Sequence, residues 1–99
     1  MATCKQNKQY MKAIWKYPLV ITDNQTLRVP NSYEILSVQM QNDIPTLWIL
    51  VDKDVPYTPL TIDCFGTGHD LPSAPTGRKY IGTVLTSEGR LVWHFFQKM

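Results

Sequence analysis

Apolar and polar residues alternate over short distances along the chain, and Pro, Gly, Asn or Asp interrupts them every few positions, a pattern of strands rather than helices. Seven segments carry it: Met11 to Tyr17, Gln25 to Val29, Glu34 to Gln41, Thr46 to Asp52, Leu60 to Phe65, Lys79 to Thr86 and Leu91 to Gln97. In the third, Leu36, Val38 and Met40 are separated by Ser37 and Gln39, the period-two spacing of a strand with one face buried. In Leu47-Trp48-Ile49-Leu50-Val51 the alternation vanishes, as it does from Leu91 to Phe96, so both faces of these two strands are expected to be covered. Asn42-Asp43-Ile44-Pro45 and Ser87-Glu88-Gly89 predict hairpin turns after the third and sixth strands. Seven prolines oppose helix formation. The expected fold is all-β or mostly β, a small sandwich or partly open barrel of about seven short, mainly antiparallel strands.

Length and charge refine this picture. Ninety-nine residues suffice for one hydrophobic core. Residues 1–10 are polar and without apolar period, so they are expected to form a flexible basic extension ahead of a single β domain spanning 11–99. Four lysines and no acid fall in the first sixteen residues, and six basic and eight acidic residues in the rest, so the net charge of +2 is that of a basic arm on a slightly acidic body. A folded body without a basic stripe is not expected to bind nucleic acid. No apolar run reaches the length of a membrane span. Cys4 and Cys64, the only cysteines, are not spaced as a CxxC pair, which suits a reducing cytoplasm. A core this small gains from association, and three Trp and five Tyr could furnish the contact, so a homo-oligomer is expected.

The segment most suggestive of chemistry is Phe65-Gly66-Thr67-Gly68-His69-Asp70-Leu71-Pro72, which opens a loop running to Arg78 and Lys79. Two glycines around a threonine at a strand end can turn successive N–H groups into one concavity, a nest for phosphate or carboxylate. Gly66, Thr67, Gly68 and His69, with Arg78 and Lys79 for charge and Tyr80 for stacking, are the candidate ligand-binding residues. The competing reading is that the glycines serve only a tight turn and His69 bonds the loop closed. His69, His94, Asp63, Asp70 and Cys64 occur singly rather than in zinc-ligand pairs, and no cofactor fingerprint is present, so no metal or cofactor is expected. Cys64 alternates with Leu60 and Ile62, which turns its thiol inward, and no nucleophile elbow is present. An enzyme would need the histidines to meet the loop aspartates; a non-catalytic binding protein is the expectation. A second candidate surface is the N-terminal edge strand, where Trp15, Lys12 and Lys16 could receive a protein partner.

Lys12-Ala13-Ile14-Trp15-Lys16-Tyr17, Ile35-Leu36-Ser37-Val38-Gln39, Leu47-Trp48, Phe65-Gly66-Thr67-Gly68-His69, Lys79-Tyr80-Ile81-Gly82-Thr83 and Leu91-Val92-Trp93-His94 together resemble a family of short, uncharacterised proteins of tailed bacteriophages and prophages. The likeness runs from about Met11 to Phe96; the ten leading residues depart from it. It implies a phage protein in the host bacterial cytoplasm, one of the accessory proteins that act on the host or its immune systems. The expected partner is then a small anionic ligand of nucleotide type, captured and withheld from a host effector. The alternative is a host defence protein or phage complex bound through an interaction surface.

Overall fold

The computed structural model describes residues 11–71 and 77–99. Its seven strands are β1 (Lys12–Pro18), β2 (Asn24–Pro30), β3 (Tyr33–Gln41), β4 (Ile44–Asp52), β5 (Tyr57–Gly66), β6 (Arg78–Thr86) and β7 (Leu91–Lys98). They form two antiparallel sheets, one ordered β1-β4-β3 and the other β2-β5-β7-β6. The expected all-β architecture of seven strands is therefore the observed one. The predicted extension over residues 1–10 lies outside the described residues. Among the described residues no helix is long and apolar enough to cross a membrane.

Alternation along each strand sends one set of side chains between the sheets. Leu47, Ile49 and Val51 of β4 meet Leu60, Ile62 and Cys64 of β5 and Phe95 of β7 in one buried cluster, closed by Val29, Val38 and Val84. Burying a side chain of this size contributes about 1.5–3 kcal/mol, and Leu47, Ile49, Ile62 and Phe95 are all fully buried. The β3–β4 hairpin turns on Asn42 and Asp43 alone, both left-handed (φ 50° and 65°). Ile44 and Pro45, expected in the turn, instead begin β4 opposite Gln41 and Met40. Ser87, Glu88 and Gly89 also take positive φ, between β6 and β7.

Two bulges disturb the expected alternation. On β3 the register slips between Ile35 and Ser37, so Leu36, expected inward with Val38, is 44% exposed. On β6 it slips between Tyr80 and Gly82, which brings Tyr80 and Thr83, an odd number of residues apart, onto one face. Beside the second bulge the sheets approach so closely that a Cβ on Gly82 would lie 2.7 Å from Val38 Cγ1.

Among the described residues, β4 and β7 are not covered on both faces as expected. Trp48 and Leu50 point away from the core and remain half-buried, and so do Val92, His94 and Phe96. Two sheets make two layers, and among the described residues no third layer lies over them.

Candidate functional site

The loop after β5 closes on itself. The His69 ring folds back so that its Nδ1 accepts the Gly66 N–H (3.3 Å), while the His69 N–H donates to the Gly66 carbonyl (3.0 Å). Accepting at Nδ1 places the proton of the neutral ring on Nε2. The Thr67 N–H is taken by the Val92 carbonyl at 3.1 Å. Three of the N–H groups expected to form a nest are thus spent inside the protein, which corrects that expectation. The closure needs glycine at both positions. A Cβ at residue 66 would meet His69 Cε1 at 2.9 Å and Trp93 Cζ3 at 3.1 Å, and Gly68 has φ +91°, where side-chain-bearing residues are strained. His69 then packs edge-on against Trp93, with 6.2 Å between ring centroids.

The charged residues that follow diverge. Arg78 Nε donates to Asp63 Oδ2 at 2.7 Å, and Asn24 Nδ2 donates to Asp63 Oδ1 at 2.8 Å. The guanidinium also lies 5.2 Å over the Phe65 ring. Burial alone would raise the Asp63 pKa, but the hydrogen bonds from Arg78 and Asn24, with the charges of Arg78 and Lys98, outweigh it and hold the carboxyl below its ordinary 3.8. His69 and Arg78 share a cleft of about 430 Å³ with Asp23, Asp63, Asp70 and Lys98, where three carboxylates face two basic residues. Such a lining does not select an anion.

Lys79 and Tyr80 belong to another cleft, of about 530 Å³, between β3 and β6, which they share with Tyr33, Glu34 and Leu36. The seven loop-side residues are therefore not brought together around one ligand position. Thr67 and Tyr80 meet instead in a surface network: Thr67 Oγ1 lies 2.7 Å from His94 Nε2, Thr83 Oγ1 lies 2.9 Å from His94 Nδ1, and the Tyr80 hydroxyl lies 2.5 Å from Thr83 Oγ1. Both nitrogens of His94 are held by threonines. Cys64 faces the core as expected, and burial, with Asp23 nearby, pushes its thiol up to about 11, so it stays protonated at neutral pH. Among the described residues no three or more His, Cys, Asp or Glu side chains are grouped to hold a metal ion.

Residues 11–99 match the sequence profile of a domain of unknown function, DUF7352. The chain belongs to the DUF7352 family. No curated protein and no solved structure matches it.

The second candidate surface of this DUF7352 domain is divided between two faces. Strand alternation puts Lys12 and Lys16 on the outer face of β1 and turns Trp15 inward, against the core. Trp15 does not join the lysine face; it lines a cleft of about 500 Å³ on the β1–β2 side of the sandwich with Ile14, Lys16, Tyr17, Arg28 and Tyr57. Among the described residues β1 and β2 are each the outermost strand of their sheet, and no further strand closes this side. Burial, with Tyr57 close by, raises the Tyr17 pKa, so the Tyr17 phenol is neutral at physiological pH. Lys16 Nζ donates to Gln41 Oε1 at 3.1 Å, which places its charge at the rim rather than at the centre. The one salt bridge among the described residues is Arg78–Asp63, and the cleft that holds Arg28 contains no carboxylate.

Arg28, Tyr17 and Tyr57 are thus candidate residues that the sequence reading did not assign to a site. Arg28 stands opposite Pro59 on β2–β5, and Tyr57 opposite Pro30 two steps along the ladder, so it is this pairing that makes them neighbours. Trp15 and Lys16, expected with Lys12 to form a surface on the N-terminal edge strand, were the signals pointing to this side.

Proposed function

We propose that this DUF7352 chain is a phage accessory protein without catalytic chemistry that captures a small anionic molecule bearing a planar ring, of the nucleotide type, and withholds it from a host effector. The observation that carries the reading is the cleft between β1 and β2, in which Trp15, Tyr17 and Tyr57 stand with Arg28 and Lys16 and no carboxylate. Aromatic faces take a base by stacking, worth about 1–3 kcal/mol per base. A guanidinium takes a phosphate through two parallel N–H bonds, and here it need not first leave a carboxylate. The β3–β6 cleft sets Glu34 against Lys79, and the cleft beside Asp63 holds three acids, so both are poorer anion sites.

The phage setting and the host bacterial cytoplasm are supported by the likeness in Phe65–His69, Lys79–Thr83 and Leu91–His94. Sequestration requires affinity and no reaction, which suits a chain whose buried thiol is protonated and whose His94 is held on both sides. Calorimetric titration with mononucleotides, dinucleotides and cyclic nucleotides tests the reading. Binding is expected to weaken at least tenfold in Arg28→Ala and Tyr57→Ala and to be unchanged in Lys79→Ala. No binding of any nucleotide, or binding that depends on Lys79 and not on Arg28, rejects it.

A second reading is an interaction module that inhibits a host defence enzyme or joins a phage complex. It is favoured by β1, whose outer backbone edge pairs with no other strand among the described residues and has Lys12 and Lys16 alongside. A stoichiometric partner from host lysate that survives Arg28→Ala but is lost when both lysines become Glu would support it over the first.

A further inference from the structure

We propose that the outer face of the β1-β4-β3 sheet is a homodimer interface, with the two-fold axis running along β4. The run Leu47–Val51 lacks polar alternation, yet the described residues cover only its inner side, leaving Trp48 and Leu50 half-buried on the outer face. Ile14 stands directly across from Leu50 on β1 and is 60% exposed, and Trp48 pairs across from Lys16, so the apolar residues form one contiguous strip. A strip of Ile, Leu and Trp left partly exposed on a sheet face costs solvation until another surface meets it.

The charges on this face identify the occupant as a second copy and fix its orientation. On the β1 side the face carries Lys12 and Lys16 and no acid; on the β3 side it carries Glu34, with Ser37 and Gln39, and no cation. Glu34 lies level with Leu50 and Ile14, between the levels of Lys12 and Lys16. A two-fold axis along β4 lays β1 of each copy over β3 of the other, so each Glu34 sits over the partner copy's Ile14 and between its Lys12 and Lys16, while Leu50 and Trp48 meet their counterparts across the axis. An axis across the strands would lay lysine over lysine, which like-charge repulsion disfavours. At one end of the face Asp52 stands across from Lys12, so that end carries one charge of each sign. Three strands about 4.8 Å apart, rising about 3.3 Å per residue, give a face of roughly 15 by 25 Å. That is small beside the roughly 800 Å² per partner of tight complexes, so the dimer is expected to assemble in the micromolar range.

This inference rests on the β4 face, and neither Leu50 nor Glu34 lines the β1–β2 cleft, so it and the ligand reading fail separately. Sedimentation velocity on the full chain from low micromolar to millimolar concentration is expected to show a monomer passing to a dimer. Leu50→Lys is expected to hold the chain monomeric throughout, with circular dichroism and the thermal melt confirming that it folds. Glu34→Lys, an exposed change that cannot disturb the core, is expected to weaken association at least tenfold, and Lys12→Glu with Lys16→Glu in the same chain to restore it. A monomer at every concentration, or a dimer indifferent to Leu50→Lys, overturns the interface. A dimer lost in Leu50→Lys but indifferent to Glu34→Lys overturns the axis.

Discussion

The loop from Gly66 to Lys79 and the cleft between β1 and β2 hold similar residue types, aromatic rings beside cations, yet they use them oppositely. In the described part of the loop the polar groups are answered from within: His69 by Gly66, Thr67 by Val92 and His94, Arg78 by Asp63. In the cleft Arg28 faces Trp15, Tyr17 and Tyr57 with no carboxylate in the lining. A group already paired stabilises the fold, and a ligand must displace its partner before using it; a group left facing aromatic rings and solvent can give its whole interaction to a ligand. Substitutions on the loop side should therefore cost stability and spare binding, and substitutions in the cleft should do the reverse.

The largest effect is expected at the ion pair. Arg78→Ala leaves the Asp63 carboxylate, whose side chain is 5% exposed, without its cation, and should cost about 3–5 kcal/mol in a urea titration. Next, Gly66→Ala drives a Cβ against the His69 and Trp93 rings and should cost about 1–3 kcal/mol by the same measurement. A smaller effect is expected with acid. Because the folded-state pKa of Asp63 lies below the ordinary 3.8, its stabilisation is complete above that value and is lost as pH falls through 3.8 toward the folded pKa. The thermal midpoint should drop over that window, and Asp63→Asn should lose this part of the drop. The smallest effect on stability, within about 0.5 kcal/mol, is expected for the exposed Arg28→Ala and Tyr57→Ala. A large stability loss in either cleft variant would break the contrast, and so would loss of ligand binding in a folded Gly66→Ala protein.

The strands were legible because turn residues punctuate the chain wherever it reverses, and all seven predicted segments are strands within a few residues. The continuous apolar run in β4 was legible as a demand for cover on both faces, although the described residues supply cover for one. The bulges at Leu36 and Ile81 were not legible, since the parity of an edge strand depends on the register with its partner rather than on its own composition. The loop looked like a ligand site because Gly-Thr-Gly-His is equally the sequence of a nest and of a turn closed by its own histidine; only the bond from the Gly66 N–H to Nδ1 separates them. Arg28 and Tyr57 lie on different strands and become neighbours only through β2–β5 pairing, while Trp15 and Lys16, adjacent in sequence, leave β1 on opposite faces.

The most direct test of the central claim is the calorimetric comparison of wild type, Arg28→Ala and Lys79→Ala against one panel of nucleotides. The account predicts that at least one nucleotide binds wild type and Lys79→Ala equally and Arg28→Ala at least tenfold more weakly. Equal binding to wild type and Arg28→Ala, or no heat from any nucleotide, would contradict it.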